Sequence, residues 1–323
     1  MTITTDIAII GGGLSGALMA ICAEAHGFTA CVIDAQPSHL QNFDDFDGRS
    51  YAMAHTSVRM LKALGLWQHL EQTAQPILDI KISNGGIAET PSPFLLHFDH
   101  HDLEEGPMGH MVEDRILRPL LQEHLKQRDR IIYLDETEVI EHNSGQASSG
   151  LILKGQKTTV TAQLVIAADG RKSALASSAG ITYSGWDYAQ TSLVCALEHE
   201  KPHRGIAYQH FMPPGPLAIL PLKNNRASIV WTETKDNAKT IMGLDADAYL
   251  DVLRPRFGDF LGDIRLAGKR FAFPLEMSIA KSLVANRLAL VGDAAHGMHP
   301  IAGQGLNAGL RDIAALTQII HDA

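Results

Sequence analysis

A glycine-rich turn near the N-terminus constrains the fold more than any other stretch of this sequence. Residues 5–10 form a short apolar strand that runs directly into Gly11-Gly12-Gly13-Leu14-Ser15-Gly16, and a helical pattern then continues to about Gly27. A second apolar strand follows over residues 28–33, and Asp34 ends it, 18 residues after the last glycine of the turn. This is the G-x-G-x-x-G fingerprint of dinucleotide-binding folds in its required context.

The residues of the fingerprint have distinct expected roles. Gly11 makes the turn, Gly13 lets the backbone approach a pyrophosphate, and Gly16 lets the helix and the strand pack closely. Asp34 would accept hydrogen bonds from a ribose diol, and its charge would repel a 2′-phosphate. The nucleotide held here is therefore predicted to be FAD or NAD rather than NADP.

Two more predicted strands end in an acid and a glycine. Residues 164–168 are followed by Asp169 and Gly170, and residues 288–291 by Gly292 and Asp293. Because open α/β sheets hold ligands at the carboxyl ends of their strands, we expect these loops and the first turn to converge on one ligand. For each acid alone, capping a helix N-terminus is the commoner role.

The loop after Asp293 leads into the last predicted helix. Beyond Pro300, Gly303 and Gly305 leave room for backbone amides to approach a ligand, and apolar residues then recur at helical spacing to Ile320. A helix N-terminus favours an anionic or electron-rich group by about 0.3–1 kcal/mol per charge. The alternative interpretation is that this glycine-rich turn only packs against its neighbours and binds no ligand. No strand or ribose acid follows Gly305, so a second nucleotide-binding fold is not expected.

Between residues 181 and 284 the predicted secondary structure is mainly β-strand. Four short strands separated by turns predict an antiparallel sheet, and they cover residues 192–197, 206–211, 217–222 and 227–232. Helices are predicted over residues 52–64, 113–128 and 245–257. Because strand 288–291 returns to the first fold, we predict one domain from residues 1–76, 102–180 and 285–323, and a second from residues 77–101 and 181–284.

Composition excludes several classes of function. A formal charge of −9 and a pI near 5.9 argue against a nucleic-acid partner. Three scattered cysteines argue against a disulfide framework, and a cytoplasmic location is expected. His97, His100 and His101, with Asp99 and Asp102, are interpreted as surface residues, so no metal is predicted. The oligomeric state is left open.

Motifs in both predicted domains resemble one family. Gly48-Arg49-Ser50-Tyr51-Ala52-Met53, residues 215–222, residues 228–231 and residues 294–307 are similar to the ubiquinone-biosynthesis hydroxylases. These are FAD-dependent group A flavoprotein monooxygenases with a para-hydroxybenzoate hydroxylase-like fold. The resemblance spans nearly the whole chain. It implies an α/β fold in which a Rossmann-like FAD-binding domain carries an inserted antiparallel-sheet substrate domain.

The resemblance also assigns roles to residues around FAD. The ADP half would be held by Gly11, Gly13, Leu14, Ser15, Gly16 and Asp34. Arg49, Arg115, Gly292 and Asp293 would contact the pyrophosphate and ribityl region, and Asp169 and Gly170 would serve both FAD and NADPH. Pro300, Gly303, Gly305, Leu306 and Asn307 would lie beside the isoalloxazine ring.

The activity that the resemblance implies is hydroxylation of the aromatic ring of a polyprenylated phenol in ubiquinone biosynthesis. NADPH, or NADH, reduces FAD, O₂ adds at flavin C4a, and the hydroperoxide transfers one oxygen to the ring. His299 and Pro300 are the candidate residues at the reacting edge, although His299 is equally read as a packing residue. The prenyl tail implies an apolar channel and contact with a membrane surface or with a biosynthetic complex.

The chain departs from the family pattern in two places. The chain has Gln209-His210-Phe211 where relatives usually read Glu-Arg-Phe, which puts a charge-based substrate contact there in doubt. It also ends within the helix after Asn307, whereas relatives usually continue, so it is expected to be either truncated or naturally short.

Three alternative functions stay open: a hydroxylase of a small soluble phenol, an FAD reductase of the same fold, and a non-catalytic flavin-binding assembly subunit.

Overall fold

The strands and helices are taken from a computed structural model, which describes residues 2–38, 46–87, 95–104 and 106–323. The strands are β1 (Thr2–Ile10), β2 (Ala30–Ile33), β3 (Ser50–Ala54), β4 (Gln75–Ile77), β5 (Asp79–Asn84), β6 (Leu96–Asp99), β7 (Gly109–Glu113), β8 (Ile131–Leu134), β9 (Val139–Ser144), β10 (Ser149–Leu153), β11 (Thr159–Ala167), β12 (Tyr183–His199), β13 (Ile206–Met212), β14 (Gly215–Leu222), β15 (Arg226–Thr234), β16 (Ile264–Leu266), β17 (Phe271–Ala280), β18 (Val284–Ala285), β19 (Leu288–Leu290) and β20 (His296–Gly297). The α-helices are α1 (Leu14–Ala25), α2 (His55–Ala63), α3 (Asp114–Gln127), α4 (Ala174–Ser178), α5 (Lys235–Met242), α6 (Ala246–Phe257) and α7 (Gln304–Asp322).

An eight-stranded sheet places the predicted ligand loops side by side. Its core order is β19-β11-β1-β2-β8, and these neighbours pair in parallel. The carboxyl ends of parallel strands lie at one edge, so the glycine turn after β1 is flanked by Asp34 after β2 and by Asp169 after β11. Gly292 and Asp293, after β19, come next along the same edge.

Helices cover both faces of this sheet. On one face, buried apolar side chains of α1, α3 and α7 pack together with side chains of β1 and β2. On the other face, residues of α4 pack against β10, β11 and β19. Helices on both sides of a mostly parallel sheet form the layered α/β arrangement that the sequence predicts.

A nine-stranded sheet forms the second part of the molecule. Its order is β20-β17-β12-β15-β14-β13-β5-β6, with β16 paired to β12, and all its pairs are antiparallel except β5 with β13. One face packs against α5 and α6 through Trp231, Tyr249 and their apolar neighbours. The other face turns toward the edge of the eight-stranded sheet where the glycine turn lies. The predicted fold class is confirmed.

The domain boundaries stay predictions. Residues 88–94 of the first segment assigned to the second domain lie outside the described residues. Strands β5 and β6 belong to the nine-stranded sheet, as the assignment requires, but β20 joins that sheet from a segment assigned to the first domain.

One predicted helix was wrong at its start. Residues 50–54 form strand β3, which pairs antiparallel with β7, and helix α2 begins only at His55. The partner strand lies about 60 residues further along the chain, so no local pattern announces it. Helix α3 matches its predicted extent within one residue at each end, and Pro119 lies inside it.

No helix of the described residues combines the length and the apolar composition that a span across a lipid bilayer requires.

Candidate cofactor and substrate site

The glycine turn has the geometry that a bound pyrophosphate requires. Gly11 has a φ of 102°, and a Cβ at Gly16 would lie 1.8 Å from the Gly11 carbonyl oxygen, so neither position admits a side chain. By contrast, a Cβ at Gly13 would meet no atom within 4 Å. Helix α1 begins at Leu14 without a side-chain cap. Its first amides are therefore available to an anionic group in the open space beside Gly13.

Asp34 supports the turn as well as ending its strand. Its carboxylate accepts a hydrogen bond from the Gly12 amide at 2.8 Å and another from the Gln36 amide at 2.8 Å. The side chain is buried, with 8% relative exposure of the residue. The sequence did not reveal the bond to Gly12, and the predicted ribose contact stays a prediction.

The two carboxylate oxygens of Asp169 differ in their contacts with the described residues. Oδ2 accepts a hydrogen bond from the Ala174 amide at 3.1 Å, next to the N-cap of α4, where Ser173 caps the helix. Oδ1 is buried and has no hydrogen-bond partner among the described residues. Asp169 thus combines the helix-start role with an unpaired acceptor, and a buried acceptor of this kind is expected to pair with a ligand donor.

The turn at Gly292 and Asp293 is held by a residue that sequence reasoning missed. The Oδ2 atom of Asp312, on α7, accepts a hydrogen bond from the Gly292 amide at 2.9 Å and contacts His296 Nε2 at 2.7 Å. The hydrogen bond to Asp312 is the main cause that raises the pKa of His296. Gly309 lets the helix approach, since a Cβ there would lie 3.0 Å from Gly292 Cα.

Asn307 connects α7 to strand β3. Its side-chain amide donates to the carbonyl oxygens of Ala52 and Gly303 at 2.8 and 2.9 Å. Its carbonyl oxygen accepts from the Ala54 amide and the Ser57 hydroxyl at 2.8 and 2.7 Å. Asn307 is 1% exposed, so its side chain positions the loop rather than facing a ligand.

A cavity of about 610 Å³ lies between these loops and the nine-stranded sheet. One wall comes from the loops and their neighbours: Gly13, Leu14, Ser15, Ser50, Tyr51, Ala52, Ala168, Gly170, Asp293, Met298, Pro300, Ile301, Ala302, Gly303, Gly305 and Leu306. The opposite wall is mainly the sheet: Ile77, Ile80, Ile82, Ala207, Tyr208, Gln209, Phe211, Ala218, Leu220 and Val230. An apolar cavity of this size with a few polar groups is typical of a small-molecule site.

The cavity brings together nine of the 17 residues predicted to contact the cofactor. Those that line it are Gly13, Leu14, Ser15, Gly170, Asp293, Pro300, Gly303, Gly305 and Leu306. Those that do not are Gly11, Gly16, Asp34, Arg49, Arg115, Asp169, Gly292 and Asn307. Several of the second group support the lining residues from behind, as Gly11, Asp34 and Asn307 do.

The two predicted arginines have acidic partners within the protein. Arg49 forms ion pairs with Asp47 at 2.8 Å and with the fully buried Asp114 at 3.2 Å. Arg115 forms an ion pair with Glu113 at 2.7 Å. Their contacts with a cofactor stay predictions.

His299 lies beside the cavity without lining it. Its ring packs edge-on against Tyr188, with centroids 5.2 Å apart, and burial lowers its pKa. Its Nδ1 atom is buried and has no partner among the described residues. Both interpretations of His299, as a donor at the reacting edge and as a packing residue, stay predictions.

The histidines at and after β6 (His97, His100 and His101) lie close to Asp79 as well as to Asp99. Asp79, on β5, approaches His97 at 3.6 Å and His100 at 3.7 Å, while Asp99 accepts hydrogen bonds from the His101 amide and ring. Asp99 also serves as the cap of the following 3-10 turn, which explains its orientation. Their interpretation as surface residues stays a prediction.

The donor set around the cavity fits FAD. Open space at the Cβ positions of Gly13 and Gly170, the uncapped start of α1 and the unpaired Oδ1 of Asp169 together provide room, amides and an acceptor. The start of α7 also has no side-chain cap, and Gly305 and Leu306 in its first turn line the cavity. This second helix start can stabilise negative charge on an electron-rich ring system.

Comparisons with known proteins agree with this geometry. Residues 4–322 match the family described as FAD binding domain. Ubiquinone hydroxylase UbiL of Rhodospirillum rubrum is 42% identical over 97% of this chain and 71% of its own length. The 3-demethoxyubiquinol 3-hydroxylase of Escherichia coli is 33% identical over 99% of this chain and 80% of its own length.

Solved structures show the same fold at lower identity. The crystal structure of p-nitrophenol 4-monooxygenase PnpA from Pseudomonas putida superimposes with a TM-score of 0.78 at 19% identity, covering 98% of this chain and 79% of that one. The predicted resemblance is confirmed: the chain belongs to the FAD-binding domain family and, within it, to the ubiquinone-hydroxylase group of FAD-dependent monooxygenases.

Proposed function

We propose that this protein is an FAD-dependent monooxygenase that hydroxylates the aromatic ring of a prenylated phenol in ubiquinone biosynthesis, with NAD(P)H and O₂ as co-substrates. One observation carries the proposal. A single cavity has glycine-rich loops and two uncapped helix starts on one side and an apolar sheet face on the other. The names of the relatives at 42% and 33% identity support the substrate class.

The chemistry divides between the cofactor and the chain. When bound, FAD takes electrons from NAD(P)H and activates O₂ for transfer of one oxygen atom to an electron-rich ring. The chain's own task is to bind, to orient and to keep water out. The first amides of α7, near Gly305 and Leu306, supply donors where negative charge develops, and Met298, Pro300 and Ile301 form an apolar edge around them.

The apolar wall of the cavity continues to the edge of the sheet, which supports a long hydrocarbon tail on the substrate. Ile80 and Ile82 line the cavity, and their partners across the β5–β6 pair are Phe98 and Leu96. Paired residues lie on the same face of a sheet, so the row runs from the cavity to the edge strand. Leu96 is 55% exposed and Phe98 is 44% exposed, which is high for such side chains at a sheet edge.

A membrane surface is the proposed source of the tailed substrate. Contact through Leu96, Phe98 and the neighbouring Leu95, which is 48% exposed, would let a prenyl chain pass from lipid along Ile80 and Ile82 without crossing water. Co-sedimentation with phosphatidylglycerol vesicles tests this contact. The paired change Leu96→Asp with Phe98→Asp should lower vesicle binding, and unchanged sedimentation would argue for a soluble route.

The activity is tested by incubating the purified full chain with FAD, NADPH, O₂ and a panel of phenols with short prenyl tails. We expect a product that has gained one oxygen atom, identified by mass spectrometry, together with NADPH oxidation in equal amount. Turnover of unprenylated phenols alone would shift the assignment to a small soluble substrate. Bound flavin with no product and no NADPH oxidation across the panel would refute the enzymatic function.

A further inference from the structure

One row of residues crosses the sheet wall of the cavity, and a single amide interrupts it. Ile82 on β5 pairs with Gln209 on β13, Gln209 pairs with Ala218 on β14, and Ala218 pairs with Val230 on β15. All four residues line the cavity, so they share one face of the sheet. Three of them are aliphatic and Gln209 is not, which places its carboxamide in the centre of an apolar surface.

The carboxamide of Gln209 forms no contact that would hold it away from a ligand, as far as the described part of the chain shows. Among the described residues, its side chain has no hydrogen-bond partner, whereas the next residue, His210, contacts Ser83 Oγ at 2.9 Å through Nδ1. When a ligand displaces water from an apolar wall, a side-chain amide there loses its hydrogen bonds to water. This loss is unfavourable unless the ligand offers a new hydrogen-bond partner. The position therefore favours an occupant that presents an oxygen to the wall.

The charges around the cavity indicate whether that occupant is neutral or charged. Among the described residues that line it, none is a lysine, an arginine or a histidine, and Asp293 is the one that carries a formal charge. A carboxylate on the ring would have no cationic partner among these described residues, and it would lie in the same cavity as Asp293. A neutral hydroxyl or methoxyl group can instead donate to, or accept from, the amide of Gln209.

We propose that Gln209 is a specificity-determining residue, whose carboxamide binds the ring oxygen of a neutral phenol and orients the ring toward the glycine-rich loops. This inference rests on the proposed function and adds the residue that selects the substrate. It also predicts that a carboxylated phenol binds more weakly than the neutral phenol, because none of the described residues at this wall supplies a cationic partner.

The test compares two ligands that differ by one oxygen. Binding of a short-chain prenylphenol and of the corresponding prenylbenzene to the full chain with FAD is measured by equilibrium dialysis. The unaltered protein should prefer the phenol by about 10-fold, the typical effect of one hydrogen bond. Gln209→Leu should remove that preference and leave the affinity for prenylbenzene unchanged or higher.

His210→Leu is the matched control, because it makes the same replacement on the same strand at a side chain directed away from the cavity. This control should keep the preference for the phenol. A second readout is the ratio of hydroxylated product to NADPH oxidised, which should fall in Gln209→Leu because the ring is no longer held in one orientation. Gln209→Arg should gain binding of a prenylated hydroxybenzoate that the unaltered protein rejects.

The possible results distinguish a failure of the role of Gln209 from a failure of the proposed function. If Gln209→Leu keeps both the preference for the phenol and the product ratio while the protein hydroxylates prenylphenols, the role of Gln209 is refuted and the function stands. If the unaltered protein binds neither ligand and forms no product, the proposed function fails, and the inference about Gln209 fails with it.

Discussion

The carbonyl oxygen of the Asn307 side chain lies 2.7 Å from the hydroxyl of Ser57, which precedes it by 250 residues. The same side chain bonds to strand β3 and to Gly303, so one amide fixes the start of α7 against the strand that forms part of the cavity wall. The helix start that faces the cavity therefore depends on contacts with a distant part of the chain.

Replacing Asn307 should destabilise the protein. Asn307→Ala leaves the partly buried Ala54 amide and the buried Ser57 hydroxyl without their partner, and we expect a loss of about 2–3 kcal/mol in the free energy of unfolding. Ser57→Ala removes only one of the four bonds and should cost about 1 kcal/mol. Urea denaturation of both variants measures the difference, and equal losses would contradict the central role given to Asn307.

Removing the Asp312 carboxylate should weaken FAD binding. Asp312→Ala frees the Gly292 amide and releases His296, so the turn that carries Asp293 loses its anchor on α7. We expect the Kd for FAD, measured by quenching of flavin fluorescence, to rise about 10-fold. Gln318→Ala, on the exposed side of the same helix, is the control and should leave the Kd unchanged. An unaltered Kd in Asp312→Ala would show that the turn needs no anchor.

The pair formed by His296 and Asp312 should stabilise the protein more in acid than in alkali. Its hydrogen bond to Asp312 raises the pKa of His296 above the ordinary value of 6.5. A raised pKa in the folded state contributes stability that is complete below the unfolded pKa and is lost as pH rises through the folded pKa. The free energy of unfolding lost in His296→Gln should therefore be larger at about pH 6 than at about pH 9. Other titrating groups are common to both proteins and cancel, so a constant difference across this range would refute the prediction.

Local patterns predicted the elements that build the site, but not the contacts that join them. The glycine turn, the strand-end acids and the apolar period of α7 are each encoded within about a dozen neighbouring residues, and all of them proved correct as elements. Asp312 supports Gly292 from 20 residues away, and Asn307 supports Ser57 from 250 residues away. Such pairs follow no helical or strand period, because the spacing is set by how the chain returns to the sheet.

Long-range pairing also explains why the strand at residues 50–54 and the role of Gln209 could not be predicted from the sequence. A five-residue strand whose partner is β7 has no local signal that distinguishes it from the start of α2. Gln209 was visible as a departure from the family pattern, but its position at the centre of an apolar row depends on the register of four strands. Register is a property of the folded sheet, and residues from β5 to β15 take part in it.

Gly13 and Gly16 should respond in opposite ways to the addition of a methyl group. A Cβ at Gly13 meets no atom within 4 Å, and this residue has φ −67° and ψ −171°, a conformation that alanine adopts without strain. Gly13→Ala should therefore keep the Tm of the FAD-free chain but lose FAD binding by at least about 10-fold, because the methyl group fills the space proposed for the pyrophosphate. Gly16→Ala places a methyl group 1.8 Å from the Gly11 carbonyl oxygen and should lower the Tm of the FAD-free chain itself. Thermal unfolding without FAD, combined with a fluorescence titration, separates the two effects. If Gly13→Ala binds FAD as tightly as the unaltered protein, the cofactor does not lie against this turn.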